Sequence, residues 1–193
     1  MKVLIVVDMQ ADFITGPLGT PEARAVVPLM AETIEQMADP NTVVIFTRDT
    51  HQVNYMNTLE GQNLPVAHCI AGTAGHNIVT PVLDAYLDNK FKYKGPFEAY
   101  PLAEHNPIVI NKPSFGSIEL QNMLYAMDDV EKIEEITLMG VCTGICVLSN
   151  AILAKATLPE APVNVVADCC ACVTPESHKI ALEAMKLCQI NII

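Results

Sequence analysis

Short apolar runs alternate with amphipathic segments along most of the chain. Six runs rich in valine and isoleucine show little alternation of polar and apolar positions; they lie at residues 3–7, 42–47, 108–110, 136–141, 163–167 and 189–193. Runs of this length and composition predict strands that are buried on both faces, as in a parallel sheet. Helical segments between them predict a single doubly wound α/β domain over residues 1–193, with about six mainly parallel strands flanked by helices.

The predicted helices begin at residues that suit a helix N-terminus. Pro28 suits the first helical position, and Ser117 and Thr143 suit N-caps. Apolar residues at i, i+3, i+4 and i+7 follow Ser117, and the helix after Thr143 is expected to reach about residue 156. The Thr174-Pro-Glu sequence predicts the start of a further helix.

Residues 50–106 interrupt the alternation, with one helix candidate at residues 80–87. This segment is rich in glycine, proline and asparagine, and it holds four of the five histidines. Long irregular segments of compact domains are usually functional when they are ordered. We therefore expect part of a functional site here.

Composition excludes several classes of protein. Apolar residues make up 51% of the 193 residues and charged residues 17%, which argues against disorder. The net charge of −11 and the scattered basic residues argue against binding to nucleic acid or a membrane surface, and they favour a neutral substrate. Asp8 ends the first apolar run too early for a signal peptide, so a cytoplasmic protein is expected. The mean hydropathy of +0.30 is compatible with a homo-oligomer.

The cysteines do not predict a disulfide framework or a cysteine metal cluster. Seven cysteines are present, an odd number. The sequence Asp168-Cys-Cys-Ala-Cys172 has no second pair to complete a four-ligand site, and it is interpreted as the end of a strand. The glycine signatures of dinucleotide and nucleoside triphosphate sites are also absent.

Polar residues at the predicted strand ends indicate a catalytic site. The carboxyl ends of parallel strands share one edge of the sheet, where ligands bind. Asp8, Lys112 and Asp168 follow three of the strands, and residues 140–146 follow another. Cys146 would lie in the first turn of the next helix, where the helix dipole and a nearby lysine lower a thiol pKa. The structural alternatives are that Cys146 is a buried packing residue, that Asp8 caps the end of its strand and that Lys112 is solvated.

A second cluster has the chemistry of a divalent metal site. Asp49 and His51 are two apart on an extended segment, so both project to one side. Glu60 and His68 follow in the same irregular region. Carboxylate and imidazole ligands suit zinc, iron or manganese. The alternative is a group of polar side chains on a surface loop.

A rival interpretation places the nucleophile at Cys142. Gly140-Val-Cys142-Thr-Gly144 matches a nucleophile elbow with cysteine in place of serine. Asp168 and His178 follow in the order of an α/β-hydrolase triad. This interpretation leaves Asp8, Lys112 and the histidine-rich segment without roles.

The whole set of motifs resembles the isochorismatase-like cysteine hydrolases. Five stretches carry the resemblance in order along nearly the whole chain; they are Val7-Asp8-Met-Gln10-Ala-Asp12-Phe13, Thr47-Arg48-Asp49-Thr-His51, Lys112-Pro-Ser-Phe115, Gly140-Val-Cys-Thr-Gly-Ile-Cys146-Val147 and Asp168-Cys-Cys-Ala with Thr174-Pro-Glu-Ser-His178. Two positions depart from the family pattern. No tryptophan precedes His68, and Gly144 stands where an aspartate is frequent.

The resemblance implies a fold and a mechanism. It implies a Rossmann-like sheet and a catalytic triad of Asp8, Lys112 and Cys146. It also implies a cis peptide between Val141 and Cys142, with the N–H groups of Cys142 and Cys146 donating to the oxyanion.

Within this family the metal site is typical of nicotinamidases. The resemblance implies Asp49, His51, Glu60 and His68 as ligands of a divalent ion, zinc first and iron or manganese next, and Phe13 as a residue that stacks on the substrate ring. The expected activity is hydrolysis of nicotinamide through a thioester on Cys146. The open alternatives are another small amide, such as a carbamoyl or ureido compound, and a metal- or thiol-based interaction protein without catalytic activity. Vinyl-ether hydrolysis fits less well because its substrate is an anion.

Overall fold

A computed structural model describes residues 1–88 and 107–193 of the chain. Six strands form one sheet in the order β3-β2-β1-β4-β5-β6, and every neighbouring pair is parallel. The strands are β1 (Lys2–Val7), β2 (Thr42–Asp49), β3 (Ile108–Lys112), β4 (Glu135–Val141), β5 (Val163–Ala171) and β6 (Asn191–Ile192). Consecutive residues of β1 point to opposite faces, yet all but the first are buried, so both faces of the sheet are covered. The predicted α/β architecture is confirmed.

Helices fill the connections between strands. They are α1 (Ala11–Ile14), α2 (Pro21–Met37), α3 (Leu59–Asn63), α4 (Thr80–Leu87), α5 (Ile118–Val130), α6 (Leu148–Thr157) and α7 (Pro175–Leu187). Helix α2 packs on α4, whereas α6 packs on α5 and α7. None of the helices in the two described ranges is long and apolar enough to cross a membrane.

Two of the four predicted helix starts, at Ser117 and Thr174, are confirmed, whereas those at Pro28 and Thr143 are wrong. The Ser117 hydroxyl accepts from the Leu120 N–H, and the Thr174 hydroxyl accepts from the Ser177 N–H. Pro28, however, lies inside α2, which begins at Pro21 after a Thr20 cap. A capping hydroxyl followed by proline is a stronger start signal than proline alone, and the helix continues through the second proline.

The irregular segment and the fifth strand differ from prediction. Helix α4 coincides with the candidate at residues 80–87, but α3 and two short 3-10 turns were not predicted; residues 89–106 of the segment lie outside the described residues. Asp168 does not end its strand. The pairing of β4 with β5 shifts register between Leu138 and Gly140, and β5 runs on to Ala171, which leaves Asp168 exposed within it.

The switch in strand order lies between β1 and β4. From β1 the chain adds strands toward β3, then returns to add β4 on the other side of β1. A crevice at such a switch point is where open α/β sheets bind ligands. Gly140 is required here, because its φ of +140° and a clash of any Cβ with the Val7 carbonyl exclude other residues. Asp8 and Cys142 follow directly after these two strands.

Candidate active site

Asp8, Lys112 and Cys146 meet in one buried contact at this switch point. The Lys112 Nζ lies 2.6 Å from Asp8 Oδ2 and 3.5 Å from the Cys146 Sγ. Exposure of the three residues is 0%, 1% and 6%. Oδ2 has no partner with hydrogen-bond geometry, so its approach to Nζ is an ion pair rather than an aligned hydrogen bond. The structure thus brings the predicted triad together, while the catalytic roles stay a prediction.

Neighbouring groups fix the acid and the lysine. The Thr47 hydroxyl donates to Asp8 Oδ1 at 2.7 Å, and the Lys112 ammonium donates to the Ser114 carbonyl at 3.0 Å. Asp8 itself has a φ of +51°, a left-handed conformation that is uncommon outside glycine, asparagine and aspartate. This turn directs the chain sharply away from β1, immediately after the strand ends.

The cysteine thiol is protonated in the free site. Burial raises the pKa of Cys146, and the Asp8 carboxylate raises it further, although the Lys112 ammonium opposes this. Burial likewise raises the pKa of Asp8 against the effect of Lys112. For the lysine, burial lowers the pKa, but the Asp8 charge outweighs it and the pKa lies above its ordinary value. The expected lowering of the Cys146 pKa by a helix N-terminus is therefore wrong for the free site, because burial beside a carboxylate dominates.

A π-helical turn, Thr143–Val147, presents Cys146 and leads into α6. The expected Thr143 cap is absent, because the Thr143 hydroxyl instead bonds His178 Nδ1 at 2.8 Å. The Asn150 side chain stabilises the turn, because its amide donates to the carbonyl oxygens of Cys146 and Phe115 at 2.8 and 3.1 Å. The Val141–Cys142 peptide is cis, as the resemblance implied.

Asp49, His51, Glu60 and His68 form a second cluster beside the triad. One ligand atom from each of the four residues lies within 4.8 Å of all the others. Asp49 Oδ2 is 2.8 Å from His51 Nε2 and 3.3 Å from His68 Nε2, and Glu60 Oε1 is 3.6 Å from His51 Nε2. Asp49 also links the clusters, since its Oδ1 lies 3.6 Å from the Lys112 Nζ.

The chemistry of this cluster fits a divalent cation. His68 Nδ1 lies 2.8 Å from the Val66 carbonyl oxygen, which can only accept, so Nδ1 carries a proton. In a neutral imidazole the His68 Nε2 lone pair then faces the carboxylates of Asp49 and Glu60. Acceptors facing one another require a positive charge between them, supplied by a proton or a metal ion. Two imidazoles and two carboxylates are ligands that zinc, iron and manganese accept.

A cavity of about 300 Å³ joins the two clusters. Cys146 and Cys142 line one part of it, and His68 with Glu60 lines another. The Phe13 ring also lines the cavity, with its centroid 5.4 Å from that of His68. Most of the remaining lining is apolar and comes from Leu18, Ala23, Leu64, Phe115, Val141, Ile145, Ala171 and Val173. A small molecule with an apolar body and one reactive polar group matches this lining.

The rival elbow does not assemble. The Cys142 Sγ is 3.1 Å from the Cys172 Sγ, and the His178 ring bonds the Thr143 hydroxyl rather than a thiol. Asp168 is exposed on β5. Cys142 therefore has no general base in contact with its sulfur among the described residues.

Gln10 and Asp12 also belong to the site, although no role was predicted for either from the sequence. The Gln10 amide donates to the carbonyls of Asp49 and His76 at 2.8 and 3.0 Å and accepts from the Asp49 N–H at 2.7 Å. Asp12 accepts from the Cys69 N–H at 2.8 Å, next to the metal-cluster histidine. The two residues follow Asp8 at two and four positions in the opening motif, and this regular spacing is the signal in the sequence that could have indicated them.

The fold is that of a hydrolase of the isochorismatase family. The chain belongs to this family, because the model of the isochorismatase domain matches residues 2–193.

Solved structures with the same fold include amidases. A pyrazinamidase of Pyrococcus horikoshii in complex with zinc is 25% identical, with 100% of this chain and 98% of that chain covered and a TM-score of 0.75. A pyrazinamidase/nicotinamidase from Streptococcus mutans is 24% identical over 100% of both chains, with a TM-score of 0.79. A nicotinamidase/pyrazinamidase from Bacillus subtilis is 23% identical over 100% and 99%, with a TM-score of 0.77. No curated protein sequence matches the chain.

Proposed function

We propose that the protein is a metal-dependent cysteine amidohydrolase that converts nicotinamide and water to nicotinate and ammonia. The observation that carries this proposal is the buried contact of Asp8 and Lys112 with Cys146, which lines a cavity that also meets the metal cluster. The similarity to the zinc-containing pyrazinamidase supports the amide as substrate class and a divalent ion as cofactor.

The first half-reaction forms a thioester. Asp8 takes the proton of the Cys146 thiol, whose pKa this carboxylate raises. Lys112, 3.5 Å from the sulfur, stabilises the thiolate that results. The sulfur attacks the carboxamide carbon, and the N–H groups of Cys142 and Cys146 hold the oxyanion, each contributing about 3 kcal/mol. Asp8 then gives its proton to the amide nitrogen, the carbon–nitrogen bond breaks, and ammonia leaves.

The second half-reaction hydrolyses the thioester. Asp8, again ionised, takes a proton from water, and the hydroxyl oxygen attacks the thioester carbon. The carbon–sulfur bond breaks, Asp8 returns its proton to the Cys146 thiolate, and the carboxylic acid leaves as its anion after losing its own proton to solvent. A raised Asp8 pKa suits this work, because the group must accept and return a proton near neutral pH.

The metal cluster would orient the substrate. Asp49, His51, Glu60 and His68 would hold the ion, which when bound supplies a Lewis-acidic anchor for a ring nitrogen. Phe13, already packed beside His68, would cover one face of the ring. The apolar lining and the net charge of −11 both favour a neutral substrate.

Ammonia release from nicotinamide tests the proposal. The protein is dialysed against zinc or manganese, and the wild type is compared with Cys146→Ala and Cys142→Ala. Turnover by the wild type that is abolished in Cys146→Ala but measurable in Cys142→Ala is the expected result. Turnover that is abolished in Cys142→Ala but not in Cys146→Ala would instead support Cys142 as the nucleophile.

The alternative substrates form a second arm of the same assay. A folded, metal-loaded wild type that leaves nicotinamide intact would overturn nicotinamide as substrate. Carbamoyl and ureido amides are then the compounds to measure with the same variants. Absence of turnover on every amide, with the metal bound, would favour a non-catalytic protein on this fold.

A further inference from the structure

Cys142 and Cys172 lie side by side on the wall of the active-site cavity. Strands β4 and β5 are parallel neighbours, and their register places Val141 opposite Ala171. Each cysteine is the next residue beyond its strand, so the sheet itself sets the two opposite each other. The Cys142 thiol donates to the Cys172 sulfur, and the two Sγ atoms are 3.1 Å apart.

The two sulfur atoms are close to bonding distance. A disulfide has an S–S distance of about 2.05 Å, so the two sulfurs need to approach by roughly 1 Å. Both thiols are free in this structure. Both also line the cavity of about 300 Å³, which gives a small solute access although Cys172 is only 5% exposed.

The surroundings of Cys172 stabilise its thiolate. Burial raises the pKa of this thiol, but the Ser177 side chain, the Cys142 thiol and the Gly144 and Val173 N–H groups near the sulfur outweigh burial, and the pKa lies below its ordinary value. The backbone of Gly144 lies beside the sulfur, since a Cβ added there would be 3.4 Å from the Cys172 Sγ.

The pKa values of the other two thiols in the cavity are raised. Burial raises the pKa of Cys142 to about 12, and burial beside Asp8 raises the pKa of Cys146. The nucleophile of the proposed reaction is therefore mostly protonated in the free site, whereas Cys172 has the larger thiolate fraction. Oxidants attack the thiolate, not the thiol.

We propose that Cys142 and Cys172 are an oxidation site that hydroperoxides convert to a reversible disulfide, separate from the Cys146 nucleophile. The Cys172 thiolate attacks one oxygen of hydrogen peroxide, the O–O bond breaks, and the hydroxide released takes up a proton to give water. The Cys142 thiol then attacks the sulfur of the Cys172 sulfenic acid. The S–O bond breaks, a second water leaves with the thiol proton, and the disulfide remains.

A disulfide between Cys142 and Cys172 would alter the active-site cavity. It would join the turn that presents Cys146 to the end of β5, across the part of the cavity between Cys142 and Val173. A dithiol reductant reverses the bond by thiol–disulfide exchange.

Mass spectrometry of the protein tests the proposal without any turnover assay. The reduced wild type is treated with a small excess of hydrogen peroxide, denatured, alkylated and digested with trypsin without reductant. We expect two fewer alkylated thiols than the seven of the reduced protein. We also expect a linked pair of peptides, cut at Lys132, Lys155 and Lys179, whose fragments place the bond between Cys142 and Cys172. Dithiothreitol should restore all the thiols.

Matched variants identify the pair. Cys172→Ala should lose the linked peptides, whereas Cys188→Ala, which removes an exposed thiol on the far end of α7, should keep them. Seven alkylated thiols after peroxide treatment of the wild type would overturn the proposal. So would a first oxidation product on Cys146 or Cys188 with Cys142 and Cys172 still reduced. The result holds whichever amide the enzyme hydrolyses, because the readout is mass alone.

Discussion

Lys112 is buried between two carboxylates, so replacing it with methionine should leave both charges without their cation. Its Nζ lies 2.6 Å from Asp8 Oδ2 and 3.6 Å from Asp49 Oδ1. At an effective dielectric constant of about 20, these two attractions amount to about 6 and about 5 kcal/mol. The cost of burying the ammonium offsets much of this, and removal of one partner from a buried ion pair typically costs about 3–5 kcal/mol. We expect the free energy of unfolding of metal-free Lys112→Met to fall by about that amount.

Urea denaturation followed by far-ultraviolet circular dichroism measures this loss, since the chain has no tryptophan. Lys132→Met is a matched control. Its Nζ is 2.7 Å from Asp128 Oδ2, yet the lysine side chain is 71% exposed, so its loss should cost less than about 1 kcal/mol. The double variant Asp8→Asn with Lys112→Met should recover stability relative to Lys112→Met but remain inactive.

The loss of stability in Lys112→Met is expected to depend on pH. Without Lys112 the pKa of Asp8 in the folded state rises further above its unfolded value, because the burial that raises it is no longer opposed. Folding then takes up a proton, so the deficit of Lys112→Met should be largest at neutral pH and shrink as the pH falls toward 5. A Lys112→Met variant no less stable than Lys132→Met, or one whose deficit is independent of pH, would refute this account of the buried pair.

Three further substitutions address the groups around the triad. Thr47→Val removes the donor to the ionised Asp8 carboxylate, so the acid limb of kcat/KM should move to higher pH, whereas Thr47→Ser should leave it in place. His68→Ala should weaken zinc binding by at least about 100-fold, measured by metal content after dialysis against a chelator. Gln10→Leu leaves the buried N–H of Asp49 without its acceptor, and we expect about 1–3 kcal/mol lower stability by urea denaturation and weaker zinc binding.

The strands were predictable because burial on both faces leaves a continuous apolar run in the sequence. The run at residues 3–7 is β1 to within one residue, and the runs for β2 and β4 differ from the strands by at most two. The errors arise where two local signals compete. At α2 both Pro21 and Pro28 are acceptable starts, and only the hydroxyl of Thr20 decides between them. At β5 a register shift, which no periodicity reports, carries the strand past Asp168.

Much of the candidate site was predictable for a topological reason. The carboxyl ends of parallel strands share an edge, so Asp8, Asp49 and Lys112 had to lie near one another once the strands were placed. Their partners were not predictable in this way. The bond from Thr47 to Asp8 depends on the register of β1 against β2, and the position of Thr143 depends on a contact with His178, 35 residues away.

The protonation state of Cys146 could not be predicted from the position of this residue in the sequence. From the sequence, Cys146 has a helix N-terminus and a lysine beside it, and each lowers a thiol pKa. In the structure the same lysine is already paired with Asp8 at 2.6 Å, so its charge is largely cancelled at the sulfur, and burial raises the pKa. The triad is thus neutral as a whole, with ammonium, carboxylate and thiol. Proton transfer from Cys146 to Asp8 changes no net charge in the buried site, which explains how a thiol with a raised pKa can still serve as the nucleophile of the proposed reaction.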